Sequence, residues 1–365
     1  MSGAFALMHS SLDIHRYSES TKKSDFIETF SNFHSLSAIS TQQSLQQYEK
    51  YTRLLLNYSE ERQSEFWIAY ERGTQKVVCR LGADIPKNQH QFGSIGFLES
   101  QLDAQGKSAS IFLIQQALLW LQENKVKSVF GPMDFNSWFK YRFKSQSNSG
   151  AAMVTHPWEP ATPQIHVDAF RQTGFKEDIK FSSFNFEVSD NLIWDAYISR
   201  LHKDHEQAMA RGLSIREINW QMNIADDLRA IFEISTMAFA QNPMFEPIPF
   251  EIFLSITEAS ARATNANGSR ICFSKDGQPV GFLFAFNLND MIVLKTIAVV
   301  PGFQSIGIAN AMTYELCQFC RISNIRKSVG ALIRQGNTSE RIGHGFGHFA
   351  SSTTQDEYVL MKRTI

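Results

Sequence analysis

Met291–Val300 is an apolar run with strand character, and it stops at Pro301. Glycines follow at 302 and 307, and helical spacing resumes at Ile308. A second apolar run, Ser328–Ile333, comes after that helix. Strand, glycine loop, helix, strand is the pattern of a parallel crossover. A crossover of this kind commits its part of the chain to a layered α/β sheet. Proline has no amide hydrogen to offer a ladder. Gly302 and Gly307 give access to backbone conformations that other residues avoid. Ile308, Met312, Leu316 and Phe319 then share one helix face, while Ala309 and Ala311 keep the start of the helix small.

The loop itself, VVPGFQSIGIANAM from Val299 to Met312, carries almost no charge in a chain that is 19% charged. The first amides of a helix have no internal partners and carry a partial positive charge suited to a phosphate. Hydrogen bonds to a charged group contribute about 1.5–3 kcal/mol each. Three or four such amides would hold a pyrophosphate with no lysine in the loop. A plain glycine-rich turn between strand and helix accounts for the same residues equally well.

The rest of the chain extends the α/β reading. With 365 residues, and roughly 100 to 200 residues per domain, two domains are expected. After a polar, serine-rich start with a helix over Ser44–Leu56, the first half gives strands at Phe66–Tyr70, Lys76–Leu81 and Gly93–Leu98. A helix follows over Ser108–Asn124, then a short strand at Ser128–Phe130, a helix at Thr162–Gly174 and a closing strand at Lys180–Val188. Asp190–Arg211 is a polar helix that ends at Gly212 and reads as a connector. The second half repeats the order. A strand at Leu213–Asn219 precedes helices at Asp226–Phe239 and Pro249–Ala263. An Asp276-Gly277 turn joins strands Arg270–Ser274 and Pro279–Asn287. The crossover described above follows, then a short helix at Asn337–Gly343 and a last strand at Tyr358–Met361. The expected division is 1–189, a linker helix 190–211, and 212–365, with a mixed sheet in each half.

Composition narrows the function classes. The net charge is −1, so no basic excess draws the chain to nucleic acid or to an anionic membrane. No apolar run approaches the roughly 20 residues that span a bilayer. The start of the chain does not read as a signal peptide, and a cytoplasmic protein is expected. The four cysteines, at 79, 272, 317 and 320, fit a reducing compartment. Cys317 and Cys320 lack the second pair that a zinc site needs, and they read as two small buried residues one turn apart. No metal site is expected.

The segment IAVVPGFQSIGIANAM resembles the acetyl-CoA loop of the GNAT acyltransferase family. That family's pattern is a strand with Val-x-Pro, then Gln/Arg-x-x-Gly-x-Gly/Ala opening a helix. Here it reads Val299, Pro301, Gln304, Gly307 and Ala309. The similarity runs from Leu213 to Met361, the length of a whole domain. It implies that amides over Gln304, Ser305, Ile306, Gly307, Ile308 and Ala309 bind the pyrophosphate of acetyl-CoA or a longer acyl-CoA. It implies further that the strand edge at Ile297, Ala298 and Val299 pairs with the pantetheine arm, and that Asn337 lies near the pantetheine or thioester. The first half resembles the family in its order of elements, but QLDAQGKSAS stands where the loop motif belongs, so its cofactor site reads as lost. The expected architecture is therefore α/β, with two GNAT-like mixed-sheet domains in tandem. In the first half, Gly131–Phe143 and the following HPWEPATPQIH read either as an acceptor-pocket lining or as packed loops.

The resemblance also frames the chemistry. Acyl transfer from a thioester needs a neutral amine, and an alkylamine with a pKa near 10.4 is about one part in 10³ neutral at pH 7, a cost of roughly 4–5 kcal/mol. A carboxylate shuttling the proton offsets this, and Glu246, in the turn-rich NPMFEPIPFE, stands where the family's acceptor loop lies. A solvated loop carboxylate is the simpler reading. The family often places a tyrosine seven residues after the asparagine. This chain has His344 there, able to donate at neutral pH, with Tyr358 as a second choice. His202 and His205 read as surface residues. The expected partner is a small-molecule or peptide amine, and the expected state is a monomer or homodimer. A transferase using a carrier-protein or aminoacyl-tRNA donor, or a non-catalytic binder of acyl-CoA or a partner, stays open.

Overall fold

Side-chain alternation and two parallel crossovers organise the chain into two compact units. The computed structural model describes residues 11–33, 42–147, 159, 163–218, 220, 224–263 and 266–365. The described residues of Met1–Ser145, Ala152–Lys180 and Tyr358–Ile365 form the first unit. Those of Gln146–Ala151 and Phe181–Glu357 form the second.

The first unit opens with β1 (Leu12–Arg16), α1 (Lys23–Asn32) and α2 (Gln42–Tyr58). Strands β2 (Gln63–Glu71), β3 (Val77–Ile85) and β4 (Phe92–Ser100) follow. Then come α3 (Ala104–Glu123), β5 (Ser128–Gly131), β6 (Phe143–Ser147) and α4 (Gln164–Gln172). β1 to β4 pair antiparallel in chain order, and β4 pairs parallel with β5. On one face Trp67, Leu81 and Ile95 meet Leu113, Ala117 and Leu121 of α3. On the other, Phe30, Phe66, Phe97 and Phe135 pack edge to face. Gly82 makes this cluster fit, because a Cβ there would come within 2.7 Å of the Phe66 ring. Burying one such side chain contributes roughly 1.5–3 kcal/mol.

The second unit takes up β7 (Lys176–Glu187) from Phe181 onward, then α5 (Asn191–Ala210) and β8 (Ser214–Glu217). Helices α6 (Ile224–Ala238) and α7 (Phe250–Ala263) precede β9 (Arg270–Phe273), β10 (Pro279–Leu288) and β11 (Met291–Val299). Then α8 (Ile308–Ile322), β12 (Lys327–Arg334) and α9 (Glu340–Gly347) lead to β13 (Ser352–Thr364). β8, β9, β10 and β11 pair antiparallel in that order, and β11 pairs parallel with β12. α6 packs on β10 and β11, and α8 packs on β9, β10 and β11. α5 runs along α8.

Three sequence expectations change here. Lys180–Val188 does not close the first half. From Phe181 to Glu187 it lies antiparallel to β12 in the second unit. The last strand returns the exchange: Met361 and Thr364 pair with Gly131 and Ser128 of β5 in the first unit. Alternation shows that a strand exists but not which sheet edge it completes. α5, read as a connector, belongs to the second unit for a similar reason. Its buried Trp194, Tyr197, Ile198 and Leu201 form a packing face, and Trp194 Nε1 donates to the Ile325 carbonyl at 3.1 Å.

Among the described residues, no helix is long and apolar enough to cross a membrane. Among them, too, no group of three or more His, Cys, Asp or Glu is placed to hold a metal. Cys317 and Cys320 are buried on α8, and burial pushes both thiols up.

Candidate active site

The site begins where two parallel strands part. β11 keeps β10 along its length, from Met291↔Leu288 to Val299↔Gly281. Its pairing with β12 runs only from Met291↔Lys327 to Leu294↔Gly330. Past that point β12 keeps its pairing with β7, with a register shift between Gly330 and Ile333. Leu332 takes a left-handed backbone (φ 57), and its amide donates to Ser183 Oγ at 3.0 Å. Among the described residues no ladder pair with β12 continues past Leu294, and Thr296–Val299 has no strand partner on that side. Ile297 and Val299 are half-buried and Ala298 is buried.

The loop carries this edge to a helix mouth. Val300 makes the last ladder bond, to the Val280 carbonyl at 3.0 Å. Gly302, Ser305 and Gly307 all have positive φ, at 89°, 64° and 90°. The Gln304 side chain folds back, donating from Nε2 to the Val299 carbonyl at 3.1 Å. Gly307 is the N-cap of α8 and supplies no side-chain cap. The first intrahelical bond runs from Ala311 to Gly307 at 2.9 Å, so the amides of Ile308, Ala309 and Asn310 precede the helix ladder. Ile308 and Met312 anchor the helix on the sheet, and Gly281 permits their approach, since a Cβ there would lie 3.2 Å from Ile308.

Helix α5 braces this mouth, a feature no local sequence signal announces. Asp204 packs against Gly307, and its Oδ2 accepts from Asn310 Nδ2 at 2.5 Å. Arg211 Nη1 donates to the Ile306 carbonyl at 2.9 Å. Farther along, His205 Nε2 meets Glu315 Oε1 at 2.9 Å and its ring stacks on Tyr314. The sequence reading of His205 as a surface residue gives way to this packed contact.

The remaining site residues expected from sequence fall in different places. Asn337 lies in the turn after β12 and sets up α9, its Oδ1 accepting weakly from Ser339 at 3.5 Å. The helix begins at Glu340, later than expected. His344 has an exposed side chain, edge-on to Phe184. It lines an open groove with Phe184, His348, Thr353, Thr354 and Gln355. That lining comes from α9, β7 and β13, across β12 from β11. Tyr358 is fully buried in the first unit, and its hydroxyl donates to Glu159, which also pairs with Lys144 Nζ at 3.1 Å. It therefore lies in the other unit from the loop. Glu246 is buried at 5% exposure, so it is not the solvated carboxylate that the simpler reading described. Of HPWEPATPQIH, residues 156–158 and 160–162 lie outside the described residues.

The first unit shows the same crossover with its mouth shut. Asp103 is the N-cap of α3, and its carboxylate accepts the Gly106 amide at 2.8 Å. The chain folds so tightly there that a Cβ on Gly106 would lie 1.8 Å from the Gln101 carbonyl. The β4–β5 register ends at Ser94↔Phe130, and the chain after β5 fills the edge beyond it. The Met133 amide donates to Ile95, and Asp134 Oδ1 accepts the Phe97 amide at 2.6 Å. Asp103 is a signal the sequence did carry, an N-cap carboxylate three residues before a helical glycine.

A parallel strand pair whose pairing ends beside a helix mouth without a side-chain cap is the central feature of the second unit. Residues 228–341 match the Acetyltransferase (GNAT) family model. Solved structures share the fold at low identity. A conserved protein of unknown function from Enterococcus faecalis V583 is 10% identical over 97% of this chain and 72% of its own, with a TM-score of 0.54. A GCN5-related N-acetyltransferase from Kribbella flavida is 11% identical over 96% and 72%, with a TM-score of 0.52. A structure of the GCN5-related glucosamine N-acetyltransferase region of a fungal multi-domain GH3 β-N-acetylglucosaminidase is 10% identical, with a TM-score of 0.52. The match covers 97% of this chain and 38% of that one. No curated protein matches the sequence.

Proposed function

We propose that the second unit is an acyl-CoA-dependent N-acyltransferase, acetyl-CoA being the simplest donor, acting on the amine of a small molecule or peptide. One observation carries this reading: among the described residues β11 has no ladder pair with β12 past Leu294, and it leads directly into a helix mouth with no side-chain cap. Amides over Gln304–Ala309 would hold the pyrophosphate, Ile297–Val299 would pair with the pantetheine arm, and Asn337 would approach the thioester end. Transfer forms an amide bond and breaks the thioester, with the amine's proton leaving through a base and the thiolate gaining one. Glu246 is the residue we assign as base. An amide of the β11 edge would stabilise the tetrahedral oxyanion.

The experiment is twofold. Acetyl-CoA, longer acyl-CoAs and free CoA are titrated calorimetrically, and thiol release is followed over a panel of amines. Micromolar CoA binding with amine-dependent thiol release is expected. Absence of CoA binding overturns the reading. The placement of His344 across β12 from β11 favours a second reading, a domain that binds acyl-CoA without transferring the group. CoA binding with a silent amine panel would select it.

A further inference from the structure

The loop 299–309 has no lysine or arginine of its own, yet a cation stands beside it. Arg211 lies outside the family-matched segment, at the C-cap of α5. Its backbone is pinned: its amide donates to the Gln207 and Ala208 carbonyls, and Gly212 follows in the left-handed region with φ 78. Its side chain reaches across to the Ile306 carbonyl at 2.9 Å. Ile306 immediately precedes Gly307, the residue that opens the helix mouth. Arg211 is exposed. A guanidinium offers five N–H donors in a fixed fork, so one anchoring bond leaves most of them available at the rim.

We infer that Arg211 is a phosphate-contacting residue of the acyl-CoA site, an inference that rests on the function proposed above. The Ile306 carbonyl orients the fork, and its outward N–H groups meet the pyrophosphate that the α8 amides receive from the other side. The charge missing from the loop is thus supplied by a helix almost a hundred residues earlier in the chain. Asp204 also stands by the mouth, but its carboxylate is engaged by Asn310 Nδ2 on the first turn. α5 then acts as part of the site as well as a packing element, and a domain trimmed to the family-matched segment would lack the contact.

The test measures dissociation constants of the full chain for CoA and for pantetheine, which shares the arm but has no pyrophosphate. Arg211→Gln is expected to weaken CoA about tenfold and to leave pantetheine unchanged. It should also flatten the salt dependence of CoA binding. Arg211→Lys, a point charge without the fork, should restore part of the affinity. With acyl-CoA as substrate, KM should rise and kcat should hold. Equal CoA affinity in wild type and Arg211→Gln overturns the inference while leaving the loop assignment standing. An equal loss for pantetheine overturns it too, since that marks a general distortion of the site. If the wild type binds no CoA, the loop assignment fails and this inference fails with it.

Discussion

Asp134 Oδ1 accepts the backbone amide of Phe97 at 2.6 Å, on β4 of the first unit. In the second unit, among the described residues, Thr296–Val299 of β11 has no ladder pair with β12. The α3 mouth is likewise taken, by the Asp103 carboxylate. Both donor sets that a CoA would need in the first unit are used internally, and each is held by an anion that repels phosphate. Calorimetric titration with acetyl-CoA should therefore give one site per chain. Two sites of comparable affinity would refute the assignment of the first unit as cofactor-free.

The same carboxylate has a pH signature. Burial raises Asp134 from 3.8 to about 6, against the opposing bond from the Phe97 amide. Between those values the folded chain holds more of the proton than the unfolded chain does. Stability from this group is thus fullest below about pH 4 and is lost as pH rises through about 6, by roughly 3 kcal/mol. Asp134→Asn keeps an oxygen for Phe97 and removes the ionisation. Thermal melts should show the variant gaining on wild type between pH 4 and pH 7. A gap that stays constant across that range would contradict the buried-acid account.

The sequence revealed most of the second unit because its signals are local. An apolar strand, Pro301, Gly307 and a helix periodicity stand within thirty residues of one another. The Asp276-Gly277 turn also appears, with Gly277 at φ 77. What escaped is non-local or thinly marked. β1 has one buried residue, Leu12, and α1 turns in Phe26 and Phe30 from an otherwise polar stretch. The exchange of closing strands between the units leaves no mark on composition. Arg211 and Ile306 are 95 residues apart, and only the packing of α5 on α8 brings them together. The loop was therefore legible, and the helix that braces it was not.

Ala309 separates binding from folding at the helix mouth. Gly307, at φ 90, would be strained by any side chain, so substitution there confounds the two. Ala309 lies in the first turn of α8 and is half-buried. Glutamate in a first turn stabilises a helix by about 0.3–1 kcal/mol, while its charge opposes a phosphate at the same amides. Ala309→Glu should keep or slightly raise the melting temperature and weaken CoA at least about tenfold. Retained CoA affinity would place the cofactor elsewhere.

The proposed base and its rivals can be ranked by one kinetic series. Glu246 is buried in the loop between α6 and α7. Glu246→Gln keeps the side chain's shape and removes its basicity, so kcat should fall about 10²–10⁴-fold with the CoA dissociation constant unchanged. Tyr358→Phe strips one donor from buried Glu159. It should cost about 1–3 kcal/mol of stability and leave kcat alone, because its hydroxyl is committed within the first unit. His344→Ala should leave both nearly unchanged, since the ring lies in an open groove across β12 from the β11 edge. A kcat collapse in either of the last two variants, with Glu246→Gln active, would move the proton chemistry to that residue.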